Sequence, residues 1–583
     1  MPPESLTHFI LRFMLLQKWT FFFIFLFTLA WPLDATVWPY LLRRVVDILT
    51  QFDLNRAASW PALKGILFFA FSLWITVETG FRAKDFLLAR AIPKLEAAMR
   101  LAMFDHIQHH SPHYFNKHFS GSLSNKINDM TNQVTKILLN ILLFFPAFVI
   151  CIVSIAFFSQ INAVFAFILG GWVVLHTGIC IAFTPKCAHY SHIHGEVRSS
   201  LMGKIVDSLS NNFAVNLFSR FSYERARIEK SQKEEQKKNY LSRYYAAWML
   251  TALSAIFVVG GIFLNGLVIF YWMQGKVSTG EIIQIVNTTW NVVFVLWFAG
   301  SVLPEFFQSI GIARQALSVM HDPQDVNNLS DAEPLASKHG EIIFENVSFH
   351  YGEKKLFTGK NVHIKGGEKV GLVGYSGAGK STFVNLILRF YPVEQGRILI
   401  DGQDIAHVTH ESLHAQVTLI PQDPVLFHRT LEENIRYGRI EATEDEVIEA
   451  AKLSHADEFI KKCPNGYDSL VGERGAKLSG GERQRIAIAR AMLSTASILI
   501  FDEATSALDS VTERYIQDSL EKLMENRTTI VIAHRLSTLS KMDRILVFDH
   551  GKIVEEGAHN TLIAKGGLYA RMWQMQAGGF LPE

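Results

Sequence analysis

The chain has 583 residues, 49% of them apolar, with 56 Lys and Arg set against 54 Asp and Glu. So high an apolar fraction excludes a disordered chain, and four cysteines exclude a disulfide scaffold. Charged residues are only 19%, under the roughly 25% of soluble domains, and a net charge of +2 gives no reason to expect a nucleic-acid partner.

Two unlike halves make up this average. Residues 1–18 form an amphipathic segment, in which Ser5 to Gln17 is expected to lie along a membrane surface. Trp19 to Leu42 is apolar apart from Asp34 and carries Pro32 and Pro39. No small-residue cleavage site follows it, so it reads as a retained span rather than a signal peptide. Gly65 to Val77 is short for a span, and suffices only if its helix starts near Pro61 and Glu78 faces protein or water. Lys136 and Lys186 enclose no Lys, Arg, Asp or Glu, and Ser159–Asn162 divides that stretch in two. Arg243 to Lys276 and Glu281 to Glu305 enclose two more uncharged runs. A helix of about 20 apolar residues crosses the ~30 Å hydrocarbon core, and a globular core does not need four such runs. Six spans are therefore predicted, at about 19–42, 61–82, 137–158, 161–183, 247–272 and 282–304, within a membrane domain of residues 19–314.

Lys and Arg set the orientation. Arg82 to Lys136 holds eight of them and Lys186 to Arg243 holds eleven, which places both long connections and both termini in the cytoplasm. Arg43, Arg44, Arg56 and Lys64 run against this trend. The two connections are too long for turns, so the spans are expected to continue as helices beyond the bilayer. Residues 315–340, with Pro323, Pro334 and several Asp, Asn and Ser, read as a linker.

From 341 to 576, short β-rich runs alternate with helices, and 577–583 form a tail. The fold class is an α-helical membrane domain fused to an α/β P-loop domain with a mostly parallel sheet. The stretch Gly374, Tyr375, Ser376, Gly377, Ala378, Gly379, Lys380, Ser381 fits G-x-x-x-x-G-K-[ST], after a strand-like run and before a helix that continues through Thr382. Backbone N–H groups of such a loop converge on phosphate, and the helix N-terminus adds partial positive charge. Lys380 is expected to reach the β/γ-phosphates of ATP and Ser381 to ligate Mg²⁺. The apolar strand Ile498–Phe501 ends in Asp502, a metal-side carboxylate, and Glu503, placed to polarise an attacking water. Leu478, Ser479, Gly480, Gly481 and Glu482 open a second helix with anion-binding character.

With LSGGE between a P-loop and a strand ending in Asp-Glu, the sequence resembles ATP-binding cassette (ABC) exporters over essentially its whole length. The resemblance implies half-transporters in which Leu478–Glu482 of one chain closes over ATP held by the other. It matches Tyr351 to the aromatic that stacks on adenine, Gln422 to the glutamine that senses Mg²⁺ and the attacking water, and His534 to the γ-phosphate histidine. Ser506, Ala507, Leu508 and Asp509 match the loop that crosses the dimer interface, and Val471–Gly475 supports export over import. Tyr114–Met130 and Asn212–Arg225 resemble the two coupling regions. With Glu503 and the signature intact, a homodimer is the simpler expectation, although a consensus half of a heterodimer looks the same.

The remaining candidates carry less. His106, His109, His110 and His113 crowd one segment without Cys or acidic support and are expected on a solvated surface. Cys151, Cys180, Cys187 and Cys463 have no ligand spacing, and the first two are expected inside spans. Asp34, Glu78 and Arg82 are ionisable groups within spans. Pairing of Glu78 with Arg82 at i,i+4 is preferred over contact of Arg82 and Lys84 with an anionic headgroup. The expected activity is ATP-driven export or flipping of a hydrophobic or amphipathic substrate in a bacterial inner membrane, with membrane lipids as partners. Lipid flippase and multidrug exporter stand level. The alternative from another class is an ATP-gated channel or regulator, against which the intact Glu503 and Ser479 speak.

Overall fold

The computed structural model describes residues 5–52, 56–118, 120–322, 328–329, 331–472, 475, 477–502, 510–533 and 536–577. It divides into two compact units: Met1–His109 with His118–Pro323, and His110–Lys117 with Gln324–Glu583.

The first unit is helical. It contains α1 (Leu6–Leu15), α2 (Lys18–Thr28), α3 (Ala30–Gln51) and α4 (Trp60–Gln108); α5 (Pro112–Lys117) groups with the second unit. Then come α6 (Ser120–Ile161), α7 (Ala163–Ser210), α8 (Asn212–Leu217), α9 (Phe221–Met273) and α10 (Thr279–Leu317). Among the described residues, six helical stretches are long and apolar enough to cross a membrane, beginning at Lys18, Ala57, Gly121, Ala163, Phe221 and Thr279. With 53 residues, α9 is about 80 Å long, so its charged first half extends well beyond any bilayer core.

Local chemistry sets the joints. Pro32 has no N–H to give to the carbonyl of Thr28, one turn earlier, and the chain breaks there into α2 and α3. Asn162 alone separates α6 from α7, its side chain accepting from Val164 N–H at 2.9 Å. Ser278 and Glu281 form a capping box at the start of α10. Asp47 accepts from the Ser278 hydroxyl at 2.8 Å, and Arg43 meets Glu281 at 2.8 Å. Arg43 therefore runs against the charge trend as a paired residue.

Two expectations are corrected here. The segment α1 does not rest its apolar face on lipid alone. Phe9, Ile10 and Phe13 are buried with Leu95 and Met99 of α4, Val134 of α6 and Ala313 of α10, while Leu11 and Leu15 on the other side stay exposed. Protein is as apolar as lipid at that face and packs more closely. The histidine segment is not uniformly solvated either. His110 is buried and its ring lies 4.1 Å from that of Tyr114, whereas His109 is exposed. The side chain of His113 lies outside the described residues. Among the described residues no group of three or more His, Cys, Asp or Glu is arranged for a metal.

The second unit runs β1 (Ile342–Tyr351), β2 (Lys354–Ile364), β3 (Lys369–Val373), α11 (Lys380–Ile387), β4 (Gln395–Ile400), β5 (Gln403–Asp404), α12 (His410–Gln416) and β6 (Val417–Ile420). It continues with α13 (Leu431–Arg436), α14 (Glu444–Leu453), α15 (Asp457–Ile460), α16 (Gly480–Leu493), β7 (Ile498–Asp502) and α17 (Ser510–Leu523). It ends with β8 (Thr528–Ile532), β9 (Arg544–Asp549), β10 (Lys552–Gly557), α18 (His559–Lys565) and α19 (Leu568–Ala577). One sheet is antiparallel, in the order β2-β1-β4-β5. The other has the order β10-β9-β3-β8-β7-β6 and is parallel from β9 to β6. Strands β3, β7, β8 and β9 are covered on both faces, which is why they read as short apolar runs. One core lies where Phe344 stacks on Phe383 with centroids 4.3 Å apart. A second packs Ile488, Ile516 and Tyr569 on the other face, and a third joins α13 to α16.

The stretch expected as linker is partly ordered into these units. Helix α10 persists to Leu317, and Leu335 is buried in the second unit's core. Asp401, in the turn between β4 and β5, accepts from the Ser337 hydroxyl and from the N–H groups of Lys338, His339, Gly340 and Glu341 at 2.8–3.1 Å. Burial works to raise its carboxyl, and the backbone donors together with Ser337 outweigh it, holding the group at about 2. A depressed value makes the carboxylate's contribution complete above the usual aspartate range and lost as pH falls toward 2. Asp401→Ala leaves these donors without their acceptor and is expected to lower stability by on the order of 2–4 kcal/mol, read as a drop in the unfolding midpoint of the second unit at pH 7. An unchanged midpoint would show that the donors find water instead.

Candidate active site

The phosphate loop is shaped by its packing. Strand β3 is buried to its end at Val373, and the chain then turns through Gly374 at φ 153°. A Cβ there would collide with the Phe548 carbonyl of β9, so only glycine lets the loop pass. Gly379, at φ 107°, caps α11, and a Cβ on it would come within 3.0 Å of the Phe357 ring. Between them Ala378 N–H donates to Tyr375 O at 3.1 Å, and Gly551 N–H donates to Ala378 O at 3.0 Å. Lys380 is buried, its Nζ donating to Gly374 O at 2.6 Å and Tyr375 O at 3.2 Å. The ammonium thus holds the loop in a closed curve. Ser376, Gly377, Ala378, Gly379, Lys380, Ser381 and Thr382 line a cleft of about 360 Å³, together with Tyr351 and Ile532. Tyr351 is half-exposed at the cleft's rim, its hydroxyl 3.3 Å from Thr382 Oγ1 and its ring edge-to-face with Tyr391.

Sheet register brings the other candidates to the same edge. Leu372 of β3 pairs with Ile532 of β8, which pairs with Asp502 of β7, so the three form one row across adjacent strands. Two strand spacings put Asp502 about 10 Å from Leu372, two residues before the loop begins. Ile420 pairs with Phe501 in β7, and Gln422 follows two residues past the end of β6, exposed. The C-terminal ends of parallel strands are where open α/β sheets bind ligands. Ser381, Asp502 and Gln422 offer hydroxyl, carboxylate and amide oxygens, the hard donors that suit Mg²⁺. Glu503, His534, Ser506, Ala507, Leu508 and Asp509 lie outside the described residues.

The signature lies elsewhere. Ser479 caps α16: Glu482 N–H donates to its hydroxyl oxygen at 3.3 Å, and Ser479 N–H and hydroxyl donate to the Glu482 carboxylate at 2.7 and 2.8 Å. Gly480 is exposed with open space around its α-carbon, Gly481 is buried, and Leu478 packs on the helical cluster. Among the described residues, none from Leu478 to Glu482 lines the P-loop cleft of the same chain.

Sequence reasoning missed Arg490. From α16 it donates to Asn434 O, to Asn434 Oδ1 at 2.6 Å and to Val425 O at 3.1 Å. It therefore ties the helix that begins at the signature to the loop that follows Gln422. Burial pushes its guanidinium down to about 10, so it stays charged at neutral pH. The available signal was one arginine inside the apolar run AIARAML. In the first unit, Arg82 pairs with Glu78 at 2.7 Å and Asp85 at 3.3 Å, and Lys84 lies 3.7 Å from Asp85. Asp34 is half-buried, and Cys151, Cys180 and Cys187 are buried free thiols, with Cys463 partly exposed.

Six apolar helical stretches joined to a P-loop sheet define a membrane-embedded P-loop ATPase. Residues 357–506 match the ABC transporter family, and residues 19–296 match the ABC transporter transmembrane region. An uncharacterized ABC transporter ATP-binding protein of Haemophilus influenzae is 42% identical over 422 residues, 71% of this chain and 68% of that protein. An ATP-dependent lipid A-core flippase of Methylobacillus flagellatus is 39% identical over 68% of this chain and 67% of its own. A bacterial Atm1-family ABC exporter solved with ATP bound is 30% identical, with a TM-score of 0.86 over 96% of this chain and 98% of that one. The chain belongs to the ABC transporter family, as a multi-pass membrane protein that binds ATP with Mg²⁺ and couples its hydrolysis to transport.

Two outcomes follow from the geometry. Gly374→Ala forces the loop off β9, and ATP affinity should fall by on the order of tenfold or more, measured with a fluorescent ATP analogue, while helix content by circular dichroism is retained. Arg490→Ala removes the guanidinium donor from the Asn434 and Val425 carbonyls, while Asn434 Oδ1 keeps the Phe427 N–H, and should cost about 2–4 kcal/mol, seen as a lowered unfolding midpoint.

Proposed function

We propose that this chain is one half of a dimeric exporter that moves a hydrophobic or amphipathic molecule out through a bacterial inner membrane, with its termini and nucleotide domain in the cytoplasm. One observation carries the reading: a complete phosphate loop and a complete signature helix occupy one chain, yet the cleft of that chain is lined without the signature. Two copies supply each other's missing half. Helix α8 supports the same conclusion, because it buries none of its residues and leaves Phe213 81% exposed, with Phe218 just past its end 68% exposed. Apolar rings at the tip of a long helix pair are stable in water only when something covers them, and a second cassette fits that need.

In the dimer, Tyr351 stacks on adenine and the backbone from Ser376 to Thr382 cradles the phosphates. Lys380 exchanges the Gly374 and Tyr375 carbonyls for phosphate oxygens, so the loop opens onto its ligand without a change of charge. Ser381, Asp502 and Gln422 hold the metal that accompanies ATP, which neutralises phosphate charge. Glu503 polarises the attacking water, His534 contacts the γ-phosphate, and Ser506–Asp509 crosses to the second chain. On α10, exposed Trp290, Phe294, Trp297 and Phe298 offer a broad apolar surface, which supports an amphipathic substrate over a small ion.

The test is ATPase activity in lipid nanodiscs across a panel of lipids and amphipathic drugs. Glu503→Gln should lower turnover by roughly a hundredfold or more while leaving ATP binding intact, and one substrate class should raise the wild-type rate. Solute flux down its gradient in sealed vesicles, without hydrolysis, would sink the exporter reading.

A further inference from the structure

Strand β2 alternates apolar residues toward the core, and Phe357, Val362 and Ile364 are buried along it. The inward position between Phe357 and Val362 is a lysine. Lys360 lies opposite Val347 of β1 and is only 8% exposed. Among the described residues its Nζ is shut from solvent and has no hydrogen-bond partner. It rests instead on two aromatic faces, 4.6 Å from the Phe357 centroid and 4.7 Å from that of Phe548. An unpaired ammonium in a core opposes folding, and the strand itself has no use for a charge at that point.

The two rings locate its purpose. Phe357 is the ring against which Gly379 packs, and Phe548 supplies the carbonyl against which Gly374 packs. These glycines are the two ends of the phosphate loop. We propose that Lys360 is a positioning residue of the nucleotide site, a second cation behind the loop that fixes both rings under it and adds to its attraction for phosphate. This rests on the reading of the cleft as the ATP site. Lys380 acts from the front by contact, and Lys360 acts from the rear by field and by packing.

The surroundings isolate the charge. On β1 Glu345 is paired with Arg397, and just before it Glu341 is paired with His363; at the end of β9 Asp549 faces His550; on α11 Lys380 is turned to the loop carbonyls. Burial lowers the Lys360 ammonium to about 8. Its folded value lies below the unfolded one of about 10.4, so its charge weakens folding at neutral pH and this penalty fades as pH rises through that interval. The attraction for phosphate runs the other way: it is present below about pH 8 and lost above it.

The experiment uses the full-length protein in nanodiscs and measures Mg²⁺-free ATP binding from pH 7.5 to 9.5, with adenosine as control. Wild type should bind ATP several-fold less tightly at the upper end. Lys360→Met should bind ATP about three- to tenfold more weakly at pH 7.5, with no further pH step, unchanged adenosine affinity and an unfolding midpoint equal to or above wild type. Lys360→Arg should keep tight binding throughout the range. Methionine binding ATP as wild type does, with the same pH step, would overturn the proposal, as would a loss of binding that merely follows a lowered midpoint. Absence of ATP binding by wild type at any pH would overturn the nucleotide reading itself, and this inference with it.

Discussion

The close passage of Gly374 over the Phe548 carbonyl is the contact on which the nucleotide half depends. A phosphate loop works only if its backbone N–H groups face one point, and a loop left to itself does not hold that curve. Here strand β9 fixes one end, the Phe357 ring supports the other, and Lys380 closes the gap by bonding carbonyls across it. The parallel sheet then does the rest. Adjacent strands in register bring Leu372, Ile532 and Asp502 to one row, so groups distant in sequence meet at one edge without any long-range loop having to find them.

The membrane half answers to a different constraint. In lipid each backbone polar group needs an internal partner, so the chain is helical nearly throughout and changes direction only where a side chain or an imino acid handles the loose ends. Asn162 caps one turn and Ser278 with Glu281 another. Pro32 marks the break inside the first span. Some charged residues within this half are matched among themselves, as Arg43 is with Glu281 and Arg82 with Glu78.

This difference explains what was legible in the sequence. Uncharged runs revealed the spans because hydrocarbon forbids charge over a fixed length, and the phosphate loop was legible because its geometry demands particular residues at particular steps. Pairings across long separations were not. Arg43 ran against the charge trend, and its partner Glu281 lies more than two hundred residues away; His110, expected on a solvated surface, is instead buried with its ring against that of Tyr114. The packed face of α1 escaped for a similar reason: an amphipathic pattern shows that one face is apolar but not whether lipid or protein covers it. Arg490 was invisible because a half-buried cation in an apolar run takes its meaning from Asn434, more than fifty residues away.

The position of Arg490 bears on how the two ends of the ATPase communicate. Its guanidinium joins α16, whose first turn carries the signature, to Val425 in the loop after β6 and to Asn434 of α13. Several charge-assisted bonds from one planar group resist shear better than scattered neutral ones. Arg490 thus ties the loop that follows Gln422 directly to the signature helix. Under the proposed dimer, that helix would bear on nucleotide held by the second copy, so one arginine would lie between the sensing of ATP in one half and the closure of the site in the other.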